Sequence, residues 1–327
     1  MRIIGKAAVD ELFPMPDAIA LMRHTFRAMG TDEVVQPLRT VLWARGQDAV
    51  LGSMPAYVTH PEPGFGLKAV TVNSGNAAKG LDTHLGVILV FDTATGQPAA
   101  VIEAGAVTAI RTAAASAVAT DVLAARTART LAIIGTGVQA RTHLAAMVEV
   151  RPIERVWVWG RDPARAHAFA GWARSRFELD VRPANTADDA AAAAEVICTV
   201  TSSATPVLGG AGVKPGTHVN AVGSCFPGNR ELATDLVAGS TMIVDSSTSA
   251  LAEAGDLLIP IAEGALPKPD SFVELGQVLR GERPGRRSAD EITIYESLGV
   301  AAQDVASARY ICTRATRRNV GRVVDLS

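Results

Sequence analysis

From Leu131 the chain reads Leu-Ala-Ile-Ile-Gly-Thr-Gly-Val-Gln-Ala, an apolar run that ends in a GxGxxA turn. Such a turn carries chemistry only between a strand and a helix. Here both flanks fit: Leu131–Ile134 reads as a buried parallel strand, and the residues through Val150 as a helix. Gly135 permits the tight turn, Gly137 lets the backbone approach a pyrophosphate, and Ala140 keeps the helix close to the sheet. The helix start at Val138 and Gln139 then faces the phosphates. A dinucleotide suits this arrangement. The strand that follows, Val156–Trp159, bears on which one. It ends in Gly160-Arg161, with no carboxylate to repel a 2′-phosphate and an arginine able to pair with it. Asp162 precedes Pro163 and reads as a helix N-cap, not as a ribose ligand. NADPH is the expected cofactor, with NADH the alternative; a plain surface arginine is the other reading of Arg161.

Two charged residues stand in apolar surroundings, Lys68 in Leu67–Val70 and Arg111 in the alanine-rich segment 107–125. Both are costly places for a lone charge, so each needs a partner. A structural salt bridge would serve. The cysteines Cys198, Cys225 and Cys312 are widely spaced, without a CxxC pair, and the six histidines show no HExxH spacing. Neither a metal site nor a disulfide framework is expected, and a reducing cytoplasm fits the thiols.

Around these residues the chain has two textures. The segment Pro16–Met29 reads as a helix with Ile19, Met22, Phe26 and Met29 on one stripe and Gly30 as its stop. Short strands follow at Arg39–Ala44, Val50–Met54, Leu67–Val72, Gly86–Phe91 and Ala99–Glu103, an α+β pattern with a mostly antiparallel sheet. From Val107 helices alternate with strands: Leu131–Ile134, Val156–Trp159, Val196–Val200, His218–Val222 and Met242–Val244. Helices at 163–175 and Ala187–Ala194 lie between them. Such alternation means βαβ units and a doubly wound parallel sheet. The fold class is therefore α/β, a Rossmann domain plus an α+β N-terminal domain. The length of 327 residues, 48% hydrophobic and 20% charged content and a net charge of −2 describe a two-domain globular enzyme with no nucleic-acid footprint. No apolar run is expected to approach the roughly 18–20 residues that span a bilayer. Residues Arg280–Arg287 read as a solvated basic loop.

The chain resembles the ornithine cyclodeaminase/mu-crystallin family along nearly its whole length. The segments that carry the likeness are Gln36–Thr40, Gly52–Tyr57, Leu67–Val70, Gly80–His84, Thr108–Ala114, the dinucleotide turn, Val213–Gly216, Asn220–Gly223 and Ser297–Gly299. The resemblance implies a homodimer and a substrate and dimerisation domain of residues 1–110, completed by about 301–327. It places the Rossmann domain at 111–300. It implies NADPH-dependent reduction of a small cyclic imino acid, its carboxylate held by Arg39, Lys68 and Arg111, with a structural ion pair the alternative at each. The alternative functions are an ornithine cyclodeaminase, an alanine or N-alkyl amino acid dehydrogenase, or a non-enzymatic NADPH-binding crystallin-like protein. Thr83, Arg111, Thr112, Thr199, Val222, Ser297 and Leu298 join the cofactor contacts, although loop packing would equally account for Ser297 and Leu298. Lys68 is also the candidate proton relay, with His84 a weaker one. The departure is Cys225, where the cyclodeaminases and the family alanine dehydrogenase carry an acid. A thiol with an unperturbed pKa of about 8.5 handles an ammonium group poorly, so Cys225 argues for imine reduction over cyclodeamination. It enters the site as a catalytic candidate or merely as a small pocket-lining residue.

Overall fold

The strand Ala49–Val58 alternates along its length, with Val50, Gly52, Met54, Ala56 and Val58 turned inward, the period-two pattern of a sheet covered on one face. In the computed structural model, which describes residues 1–45 and 49–325, this strand belongs to a unit made of Met1–Arg111 and the segment from Gly299 onward. Its sheet runs Arg322–Val323, Arg2–Ile4, Pro98–Glu103, His84–Phe91, Gly64–Asn73, Ala49–Val58, Val34–Val35, and Thr40–Trp43 also pairs with Ala49–Val58. All pairs are antiparallel except Arg2–Ile4 with Pro98–Glu103. Met54, Lys68, Ile88 and Ile102 lie side by side across four strands. A lysine thus stands in a row of buried apolar residues.

The helix Ala301–Arg318 packs on this sheet. Its buried residues Val305, Ala308, Ile311 and Ala315 form one stripe, and Asn319, left-handed at φ 52°, stops it. The N-terminal helix spans Met15–Ala28, with Ile19, Met22 and Phe26 buried as the periodicity requires. Strand Arg2–Ile4 and helix Lys6–Leu12 precede it; both are too short to show a period in sequence.

The second unit is Thr112–Leu298. Its sheet is parallel throughout, in the order Asp180–Pro183, Arg155–Trp159, Thr130–Ile134, Val196–Thr199, His218–Ala221, Thr293–Glu296, Thr241–Val244, Val273–Glu274. The first five places follow the dinucleotide-binding order 3-2-1-4-5. Met242–Val244 is a strand of this sheet, as the sequence reading has it, but stands in the seventh place and not the sixth. Thr293–Glu296, far later in the chain, pairs with His218–Ala221, and Thr241–Val244 pairs beyond it. The edge strand Asp180–Pro183 alternates charge with Val181 and ends in proline, a composition confined to sheet edges.

Two further expectations are corrected. The helix Ala104–Leu123 is long and apolar enough to cross a bilayer by length and composition, yet 83% of that stretch is buried inside the protein. It is an alanine-rich core helix. Nor is Arg280–Arg287 wholly a solvated loop. Arg286 is half-buried and its guanidinium donates to the carbonyls of Leu123, Thr217 and Glu291 and to Thr293 Oγ1. It staples a helix end to two strands, a role its spacing in sequence conceals.

Candidate active site

In the second unit the turn after Thr130–Ile134 has the form the sequence requires. Gly135 sits at φ 134°, and a Cβ there would lie 2.7 Å from the Val200 carbonyl oxygen, so only glycine closes this turn. Gly137 is the N-cap of helix Val138–Val150 and offers no side-chain bond to the first amides; nothing stands within 4 Å of where its Cβ would be. Those amides are oriented donors, suited to an anion. Ala140 is buried against the sheet. Gly160 faces Thr136, whose Cγ2 would be 2.6 Å from a Cβ, so the strand end excludes a side chain as well as a carboxylate. Arg161 is exposed beside it, and Asp162 accepts from the Ala164 amide at 2.9 Å as the N-cap of Pro163–Phe177. Thr199 and Val222 end adjacent strands, joined by the bond from Val222 N to Thr199 O. Thr112, Ser297 and Leu298 are buried, and Leu298 packs in the unit's apolar core. Gln139 Oε1 and Ser297 Oγ are buried oxygens with no hydrogen-bond partner among the described residues. The arrangement fits a dinucleotide.

In the first unit Lys68 and Arg111 converge on one carboxylate. Lys68 Nζ donates to both oxygens of Asp304 at 3.1 and 3.2 Å, and Arg111 Nε donates to Oδ1 at 2.9 Å. All three side chains are at most 5% exposed. Arg111 Nη1 also donates to Gln303 Oε1 at 2.8 Å, which fixes the amide so that its buried Nε2 is a donor without a partner among the described residues. Gly299, at φ 75°, leaves the guanidinium uncovered, since a Cβ there would stand 2.7 and 2.8 Å from Nη1 and Nη2. Arg39 Nη2 reaches the Gly299 carbonyl at 2.8 Å. Burial drives the Lys68 ammonium down to about 8, against the opposing pull of Asp304. Burial pushes the Asp304 carboxyl up, but Arg111 and Lys68 more than reverse this and hold it below the ordinary range. Thr83 Oγ1 bonds the exposed ring of His84 at 3.0 Å.

Cys225 lies in the loop after His218–Ala221, half-buried, its thiol 3.8 Å from the Val222 carbonyl. Buried acids hold this loop. Glu231 accepts the amides of Thr201 and Gly223 at 2.6 and 2.7 Å, and Asp256 accepts those of Glu231 and Leu232. Glu296 is pushed well above the usual carboxylate range by burial and then by its acidic neighbours, Cys225 among them. Among the described residues no group of three His, Cys, Asp or Glu could hold a metal ion.

The sequence reading misses Asp304, Gln303 and Glu231. Asp304 and Gln303 occupy the first turn of an alanine-rich helix, where an acid reads as a partner for the helix dipole. The available signal was the inverse one: two buried cations require an anion somewhere in the chain.

These features agree with the comparisons. The family model of ornithine cyclodeaminase/mu-crystallin proteins matches residues 2–319. A Δ1-pyrroline-2-carboxylate reductase of Bacillus cereus is 36% identical over 327 residues, covering 99% of this chain and all of that one. The ketimine reductase mu-crystallin of Mus musculus is 37% identical over 278 residues, 85% of this chain and 84% of its own. The structure of Thermococcus litoralis Δ1-pyrroline-2-carboxylate reductase in complex with NADH and L-proline superposes with a TM-score of 0.96 at 33% identity, covering 99% of this chain and all of that one. The molecule is an enzyme, a nicotinamide-dependent oxidoreductase. It belongs to the ornithine cyclodeaminase/mu-crystallin family.

Proposed function

We propose that the chain is an NADPH-dependent reductase of cyclic imino acids, taking Δ1-pyrroline-2-carboxylate to L-proline and Δ1-piperideine-2-carboxylate to L-pipecolate. The charge balance of the buried cluster carries this reading. Lys68 and Arg111 bring two positive charges and Asp304 returns one negative, which leaves a positive charge to be met by a substrate carboxylate. Arg111 spends Nε and one Nη1 hydrogen inside the protein; its remaining hydrogens, uncovered at Gly299, suit two-point binding of a carboxylate. Arg39 adds a third cation. Gln303 Nε2 is a further donor for the same anion.

With the carboxylate fixed, C2 of the imine is held in one orientation. A reduced nicotinamide, when bound, would supply the hydride for C2. Lys68, titrating at about 8, is largely protonated at neutral pH and gives its proton up readily, so it serves as the relay to the ring nitrogen. In the cofactor half, Gly135, Gly137, Val138, Gln139 and Ala140 would hold the pyrophosphate and Gly160 with Arg161 the 2′-phosphate. Thr83, Arg111, Thr112, Thr199, Val222, Ser297 and Leu298 complete the set. The names of the relatives, reductases of a cyclic imine or a ketimine, support the substrate class.

Purified enzyme is expected to oxidise NADPH when given either imine; failure with both imines and both reduced cofactors removes the assignment. NADPH should give the higher kcat/KM, and Arg161→Ala should erase most of the preference. A lost charge-assisted contact is worth about 1.5–3 kcal/mol, roughly tenfold or more in specificity. Preference for NADH, unchanged in Arg161→Ala, would assign the 2′-phosphate elsewhere.

The enzyme is expected to work as a homodimer. The sheet of the first unit turns an apolar face outward, where Leu51, Phe65, Leu85 and Val87 are 38–53% exposed on three consecutive strands. Large exposed apolar faces mark association surfaces. Val87→Lys should convert a dimer to monomers in sedimentation analysis; a monomeric wild type would refute the reading.

A further inference from the structure

We propose that Asp304 is a positioning residue that keeps Lys68 charged and aimed, and thereby sets the pH range in which the enzyme passes a proton to its substrate. The proposal rests on the reading of Lys68 as proton relay. Its basis is geometric. Lys68 Nζ stands 3.1 and 3.2 Å from the two oxygens of Asp304, a chelated contact that holds the ammonium at the carboxylate and leaves its other hydrogens for the substrate. The same Oδ1 takes Arg111 Nε, so one rigid carboxylate orients the proton donor and the guanidinium together. Asp304 is itself fully buried in the first turn of Ala301–Arg318.

The charges that act on Lys68 come from four elements. Arg111 on Ala104–Leu123 and Arg39 before Thr40–Trp43 favour the neutral amine. His84, at the start of its strand, lies within range of the Lys68 charge. Asp304 is the negative partner. Two cations and burial all disfavour the ammonium; Asp304 opposes them. Removing its charge lets Lys68 lose its proton at lower pH. The relay then fails first on the alkaline side, because a donor must be protonated to act.

The experiment compares kcat/KM against pH for wild type, Asp304→Asn and Asp304→Glu, with Δ1-pyrroline-2-carboxylate and NADPH. The alkaline limb should move to lower pH by about one unit or more in Asp304→Asn, a loss on the order of tenfold at pH 8 that is largely recovered near pH 6. Asp304→Glu, which keeps the charge, should return the limb towards its wild-type position. A role in folding alone would lower the whole profile by one factor and leave the limb in place; that result overturns the proposal. A second readout does not depend on turnover: titration of Lys68 in wild type by NMR of its labelled side chain should give about 8. The same titration in Asp304→Asn, or in Asp304→Ser should the amide not fold, should give a lower value; an unchanged value overturns the proposal. If wild type reduces neither imine, the substrate reading fails, and the NMR titration alone decides the role of Asp304.

Discussion

Lys68→Met and Arg111→Met should each lower kcat/KM for the cyclic imine by on the order of a hundredfold to a thousandfold while the protein stays folded. The size follows from truncating one member of a buried, hydrogen-bonded charge set, which costs roughly 2–5 kcal/mol. In Lys68→Met the substrate loses a cation and the relay together, so kcat falls more than KM rises. In Arg111→Met the carboxylate loses its two-point hold, and KM rises as well. Asp304 keeps one cation in either variant, so no buried carboxylate is left wholly unpaired and the melting temperature drops without loss of fold. Steady-state kinetics with circular dichroism check both points. Near-normal kcat/KM in either variant makes that residue a purely structural ion-pair member.

Wild-type enzyme should release no ammonia from L-ornithine, and the expected reason lies at Cys225. Cyclodeamination requires a carboxylate to bind and deprotonate an ammonium group; a cyclic imine presents none. Cys225→Ala should keep imine reduction within about threefold, because the thiol is neither nucleophile nor base in this scheme. Cys225→Asp should impair it by about tenfold or more. Glu296, already pushed well above the usual carboxylate range by burial and then by Asp256, Cys225, Asp245 and Glu231, gains another acidic neighbour there. The new aspartate must itself take a proton or add an unbalanced charge to the loop that Glu231 and Asp256 pin. Robust ammonia release by wild type restores the lyase reading, and complete loss of reduction in a folded Cys225→Ala makes the cysteine catalytic.

The dinucleotide half was legible because its signals are local. An apolar run, two glycines and an alanine within ten residues define strand, turn and helix, and Asp162-Pro163 announces its own cap. What the sequence hid is non-local. Thr293–Glu296 takes its place in the sheet through pairing with strands some 50 and 75 residues earlier, which no periodicity encodes. The substrate cluster shows the same limit. Lys68 and Arg111 announced themselves as charges in apolar elements, but their shared partner lies 236 and 193 residues away. Family likeness supplied the cations and passed over the anion.

That separation also orders the making of the molecule. Synthesis runs from the N-terminal to the C-terminal side, so Lys68 and Arg111 leave the ribosome long before the helix that neutralises them, with all of Thr112–Leu298 in between. The intervening parallel sheet contains its own strands and core, and can mature while the first sheet is still incomplete. Until residue 304 arrives, closing the first sheet would bury two cations without a counter-charge, at a cost of several kcal/mol each. The unit begun first is therefore the one finished last, and the salt-bridging aspartate acts as its latch.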